Sequence, residues 1–213
     1  MMLISTLKTR GFLLPAALGI VLGSTSPVHA LQAWYILDLE SKKVTQIGSG
    51  SGYNNVRATA INDTGQVVGT FKTNTGAIRS FITGPDGMGM RDLGTLGGSE
   101  SFANGINDTG QVVGNSSTAE GTHAFITGPD GMGMRDLGTL GGNYSFASGI
   151  NEAGPVVGQS STAEGDHAFI TSPNGMEMRD PGTLGGEDSG ASDINETGQL
   201  AGWSLTAHRH RMS

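Results

Sequence analysis

The string INDTGQVVG at residues 61–69 returns at 106–114, then as INEAGPVVG at 150–158 and INETGQLAG at 194–202, so the same unit recurs at spacings of 45, 44 and 44 residues. A second string, FITGPDGMGMRDLGTLGG, occupies residues 81–98, recurs unchanged at 125–142 and loosens at 169–186. A fixed period of this size restricts the chain to repeat architectures, in which each unit buries its apolar side against the next. Within the second copy, turn signals separate four short runs, at residues 102–107, 111–116, 123–127 and 134–140. They are rich in Val, Ile, Phe and Thr, and none reaches the length a stable helix needs. The Asn-Asp-Thr-Gly tetrad and the Gly128-Pro129-Asp130-Gly131 stretch supply the turns between them. Each repeat reads as two linked hairpins, and a unit of about 44 residues is too small to fold without neighbours.

Composition agrees with many tight turns. Glycine accounts for 36 of the 213 residues, no cysteine is present and 15% of residues are charged, which excludes a disulfide scaffold and a coiled coil. The 12 Lys and Arg are outnumbered by 19 Asp and Glu and form no cluster, so a nucleic-acid surface is not expected.

Four-stranded repeats at this period predict an all-β fold, a β-propeller-like ring of four-stranded blades. The chain ends favour closure. Residues 34–39 and 43–48 align with the third and fourth runs of a repeat, and 189–195 and 199–206 align with the first and second, so the two ends together would complete one blade. The alternative is an open β-repeat stack or a fragment of a larger propeller. Pro155, where the other copies have Gln66 and Gln111, and Pro181, in place of Leu93 and Leu137, belong at strand starts or edges.

Lys8 and Arg10 precede an apolar stretch at residues 11–22, and small residues lead to Ala30, the pattern of a secretory signal peptide. The predicted organisation is a signal peptide at 1–30, a repeat β domain at 31–206 and a tail at 207–213. Cleavage after Ala30 removes two cations and shifts the formal charge from −7 to about −9. The mature chain is expected to be secreted, extracellular or periplasmic, without a transmembrane segment.

The tripeptide His123-Ala124-Phe125, repeated at 167–169 and followed by DLGTLGG and A-x-G-I-N-x-x-G-x-V-V-G, resembles the bacterial HAF-family extracellular repeat. The resemblance spans nearly all of the mature chain. The first copy departs from it with Arg79-Ser80-Phe81. It implies export and a repeated all-β unit, and no reaction, substrate or cofactor.

Candidate chemistry is sparse. His123 and His167 are 44 residues apart, but a zinc site needs three or four ligands and Arg79 occupies the first equivalent position, so hairpin-edge histidines are expected and no metal. His208 and His210 belong to the tail. Asp63, Asp108 and Asp130 are read as turn formers, since each offers too few oxygens for calcium. The dipeptides Arg91-Asp92, Arg135-Asp136 and Arg179-Asp180 are expected to make exposed ion pairs of little energetic consequence. No G-x-S-x-G elbow or phosphate loop is present, and no cofactor is expected.

The positions that break the repeat are the informative ones. The links from fourth to first run and from second to third run emerge at one end of the blades and carry Tyr53, Glu100, Tyr144 and Asp188, then Glu120, Glu164 and Trp203. Aromatics beside carboxylates suit a glycan or a cationic peptide on a surface partner. The expected function is a non-catalytic binding or scaffold module. The alternative is a secreted polysaccharide lyase or hydrolase using carboxylates near Glu187, Asp188 and Asp193.

Overall fold

A computed structural model describes residues 33–48 and 53–207. The expected signal peptide and the tail histidines lie outside these residues. The fold is all-β. Three four-stranded antiparallel meanders follow one another: β3 (Asn54–Ile61), β4 (Val67–Lys72), β5 (Ile78–Ile82) and β6 (Arg91–Gly94); β7 (Ser101–Ile106), β8 (Val112–Ser117), β9 (Thr122–Ile126) and β10 (Arg135–Asp136); β11 (Ser145–Ile150), β12 (Val156–Ser161), β13 (Asp166–Ser172) and β14 (Met176–Arg179). A two-stranded hairpin flanks them on each side, β1 (Tyr35–Leu37) with β2 (Val44–Gln46) and β15 (Gly185–Ile194) with β16 (Leu200–Thr206). No helix among the described residues is long and apolar enough to cross a membrane.

The four runs of each repeat are its four strands, though the fourth is shorter than its sequence run. Asp136 Oδ1 accepts a hydrogen bond from Gly138 N at 2.7 Å, and Gly138 has φ 72°, so the chain bends out of the ladder just past Leu137, whose N–H still bonds Ala124 O. Pro155 precedes β12, outside the ladder, and Pro181 follows β14 in the place of Leu137, so the third repeat lacks the bond that Leu137 N donates to Ala124 O while its paired strands are left intact.

Each sheet packs face to face on the next with the same side chains. Val68, Ile82 and Leu93 of one sheet meet Ala103, Val112 and Phe125 of its neighbour. One repeat on, Val113 and Ile126 meet Ala147, Val156 and Phe169. The N-terminal hairpin covers the first sheet through Ile47, and the C-terminal hairpin covers the third through Ala191 and Ile194. Phe81, Phe125 and Phe169 are fully buried. The core is thus divided into inter-sheet layers, as the small size of one repeat requires.

Polar bonds tie the sheets together at the same period. Asn62, Asn107 and Asn151 each form their own turn through Oδ1 and donate Nδ2 to the carbonyl of the next Asn in the series, ending at Asn195. The acidic residue after each Asn acts across the interface. Asp63 N donates to Asp108 Oδ1 at 2.8 Å, and the Asp108 and Glu152 amides find Glu152 and Glu196 in the same way. Turn formation therefore belongs to the Asn, and Asp108 clamps the preceding repeat.

The composite blade expected from the two chain ends is not paired. β1–β2 and β15–β16 are separate sheets, and no strand of one is hydrogen-bonded to a strand of the other. Each hairpin packs one face against its own neighbouring meander, and that packing does not require the ends to meet.

Candidate functional site

At the end of the stack where the second-to-third-strand links and the sheet-to-sheet links emerge, a cleft of about 450 Å³ opens between the second and third meanders. Gly121 and Thr122 line it from the second, and Asn143, Tyr144, Phe146, Gln159 and Asp166 from the link and the third. Gly121 lies so close to this link that a Cβ would stand 2.0 Å from the Asn143 carbonyl oxygen. A side chain there would push the link outward and open the cleft floor.

Tyr144 is held at both ends. Its backbone N–H donates to Ser161 Oγ and its carbonyl accepts from Ser160 and Ser161. Its hydroxyl donates to Asp166 Oδ1. That bond, then burial, then the charges of Asp166 and Asp188 hold the phenol above its ordinary titration range, so it is a proton donor at neutral pH. The ring lies 5.5 Å from Phe146, tilted by 45°, and Phe146 is 38% exposed. Asp188 sits behind, its Oδ1 accepting from Asp166 N at 3.0 Å. The cleft therefore presents two aromatic rings, the Asp166 carboxylate fixed by a phenol, and the Gln159 side chain.

The equivalent junctions are built differently. Tyr144 stands where the neighbouring repeats have Glu100 and Asp188, Phe146 where they have Phe102 and Gly190, Gln159 where they have Asn115 and Trp203, and Asp166 replaces Thr122. Among the described residues, aromatic pair and carboxylate line a common cleft between the second and third meanders only. Phe146, Gln159 and Asp166 were not singled out by the sequence. The signal available was that Tyr144 and Asp166, both departures from the repeat, belong to adjacent links.

The other expected rim residues scatter. Tyr53, half-buried, meets Phe71 with ring centroids 4.2 Å apart and packs against the core of the first meander. Phe71 replaces the serines Ser116 and Ser160, and the aromatic pair takes over from their hydrogen bonds. Glu120 and Glu164 occupy hairpin tips stabilised by Thr118 and Thr162, and both are exposed. Glu100 lies at the preceding junction. Trp203 is 49% exposed, and its indole spans Gly190 on the last hairpin. Asp188 and Asp193 each accept a backbone N–H, and no group of three or more His, Asp or Glu among the described residues is arranged for a metal.

The dipeptide ion pairs are replaced by a different pairing. Asp136 meets His123 Nδ1 at 2.8 Å, Asp180 meets His167 Nδ1 at 2.6 Å, and Asp92 meets Arg79 at 3.3 Å. The histidine of the HAF tripeptide thus ties the third strand to the fourth, and arginine keeps the charge in the first copy, with its Nε buried and unpartnered. Adjacent residues on a strand point to opposite faces, which separates Arg91 from Asp92. Arg91 and Arg135 instead donate to the Asp130 and Asn174 carbonyls of the next repeat, and Arg179 meets Glu177 at 2.5 Å.

Asp180, against some opposition from burial, raises the His167 pKa above 6.5. A raised folded pKa means that the pair stabilises fully below about pH 6.5 and ceases to do so as pH rises through the folded value. His167→Gln should therefore lower the urea midpoint at pH 5.5 and leave it unchanged near pH 9. Equal losses at both would contradict the ion pair. The effect should stay under about 1 kcal/mol, since Asp180 is partly exposed.

Compared with models of known protein families the chain matches none, and a search of curated proteins returns no significant match.

Proposed function

We propose that the chain is an exported, non-catalytic binding module. Its sheets stack in the manner of propeller blades, and it takes a glycan of a cell surface or matrix in the cleft at Tyr144. The observation that carries the proposal is the coincidence of Tyr144, Phe146, Gln159 and Asp166 at one junction out of three equivalent ones. A sugar ring presents an apolar C–H face and hydroxyl edges. Two tilted rings match the first, while a carboxylate and an amide match the second. Asp166 has lone pairs to spare, because the phenol proton engages only one of its oxygens. With Asp and Glu in excess over Lys and Arg, the surface is suited to a neutral ligand. Export is supported by the charged and apolar pattern of residues 1–30 and by the resemblance to the HAF repeat.

Binding of the purified chain to an array of neutral and acidic glycans tests the proposal. Tyr144→Ala and Asp166→Asn should each weaken the strongest binder at least about tenfold, corresponding to about 1.4 kcal/mol. Tyr144→Phe should lose less, because it keeps the ring. Undiminished binding in Tyr144→Ala and Asp166→Asn would sink the assignment.

A further inference from the structure

We infer that the two terminal hairpins are complementary halves of one blade and that they join between chains, so that copies of this protein assemble head to tail. The inference rests on the blade reading of the sheets and is independent of the Tyr144 cleft.

β15–β16 supplies the first and second strands of a blade. Its Ala191 and Ile194 already pack on the third meander through the interface used by Ala103 and Ala147. The hairpin is left uncovered where further strands would lie. Leu200, on the face toward the third meander, is 40% exposed, whereas its counterparts Val112 and Val156 are at 0%, and Leu205 is 49% exposed. Ala201 is exposed where Val68, Val113 and Val157 are fully buried. Among the described residues no strand pairs with the outer edge of β16.

β1–β2 supplies the missing third and fourth strands. Ile47 N donates to Trp34 O at 2.8 Å, just as Leu137 N donates to Ala124 O at 2.9 Å in the second meander. The hairpin also docks on the first meander as a blade would. Ile36 and Ile47 approach Gly87 in the way that Ile82 and Leu93 approach Gly131 and Ile126 and Leu137 approach Gly175. Its own outer surface exposes Leu37 at 45% and Val44 at 61%, and among the described residues no strand pairs with the free edge of β1.

The halves match in register. β4 and β5 pair Val68 with Ile82 and Gly69 with Phe81. Transferred to the ends, Ala201 faces Ile36 and Gly202 faces Tyr35 of a second copy. Tyr35 then fills the place held by Phe81, Phe125 and Phe169 against the sheet behind it. The Asn series continues too. Asn195 Nδ2, which bonds Gln199 within its own turn, reaches the Asn62 carbonyl of the second copy, as Asn151 reaches Asn195. One interface, already made three times inside the chain, is thereby made once more between chains, and a head-to-tail contact of this kind yields rings or filaments.

The purified chain is tested by light scattering across a dilution series and by disulfide trapping, which the absence of cysteine makes unambiguous. The expected mass rises in multiples of one chain. It should fall to a single chain in Ala201→Asp, whose charge sits on a surface exposed in the isolated chain. When separate Ile36→Cys and Ala201→Cys chains are mixed and oxidised, they should give a cross-linked dimer, because this pair corresponds to a closely spaced, non-hydrogen-bonded position of the ladder. A single-chain mass throughout, multiples indifferent to Ala201→Asp, or no cross-link in the mixture would each overturn the inference. So would a disulfide that closes within one chain in the Ile36→Cys, Ala201→Cys double variant, because the chain's own ends would then seal together. Oligomers without glycan binding would remove the cleft reading alone, and glycan binding by single chains would remove this one alone.

Discussion

Phe125→Ala should destabilise the protein by about 3–5 kcal/mol and be the most damaging single truncation in the chain. Phe125 is fully buried on β9 and packs through the layer between the first and second meanders against Val68, Ile82 and Leu93. These residues belong to another repeat, and a rigid sheet holds each of them, so the cavity cannot be closed by moving one side chain. The loss falls on the interface itself. In a stacked array, where stability is approximately a sum over neighbours, weakening a central interface separates the two halves and broadens the unfolding transition. Urea unfolding followed by tryptophan fluorescence and by circular dichroism checks this. The expected result is an early transition in Phe125→Ala, with the fluorescence and dichroism curves no longer coincident. A loss below about 1 kcal/mol would contradict the layered core, since a ring on the surface would cost little.

Asn107→Ala is expected to cost about 2–3 kcal/mol through a different physical route. The Asn107 side chain makes four bonds. Oδ1 accepts from Gln111 N at 3.0 Å and Thr109 Oγ1 at 2.8 Å, and Nδ2 donates to Gln111 Oε1 at 2.9 Å and Asn151 O at 3.3 Å. The residue is 2% exposed, so removal of the amide leaves the Gln111 N–H and the Asn151 carbonyl without either their partner or ready access to water. Asp108→Ala is the control. Its carboxylate also spans repeats, accepting from the Asp63 amide, but it does so in an exposed position where water replaces it, and the expected cost is below about 1 kcal/mol. Thermal or urea midpoints of the two variants decide the matter. Equal effects would mean that the Asn series contributes no more than a surface contact.

Much of this architecture was legible before any coordinates. The recurrence of I-N-x-x-G and of F-I-T-G-P-D-G located the repeats, their four strands and their turns, because those features depend on local chemistry: an Asn that bonds its own backbone, residues with positive φ, and short runs of β-branched and aromatic side chains. Asp86, Asp130 and Asn174 at φ 73°, 52° and 62° show the same local logic. Side-chain pairing was less legible. His123 meets Asp136 across a two-strand register, and no reading of Arg135-Asp136 as neighbours on the chain anticipates it. The pairing of Tyr53 with Phe71 had the same origin, since Phe71 is a substitution elsewhere in the repeat whose consequence appears only when the two meet.

The amino-acid order alone determined that a unit of about 44 residues recurs, that each copy is two hairpins, and that no copy is large enough to stand by itself. Stacking decided the rest. Tyr144 and Asp166 lie 22 residues apart, and they share a hydrogen bond because Ser161 of β12 is bonded to Tyr144 on one side and paired with Asp166 on the other; the offset between the second and third meanders then brings Gly121 and Thr122 beside them to close the cleft. That offset is set by Phe, Val and Ala layers and by the Asn series, which are the same at every junction, whereas the residues lining the cleft differ from one junction to the next. Identity between repeats therefore specifies how the sheets lie, and the departures from it acquire meaning only once the sheets have brought them together.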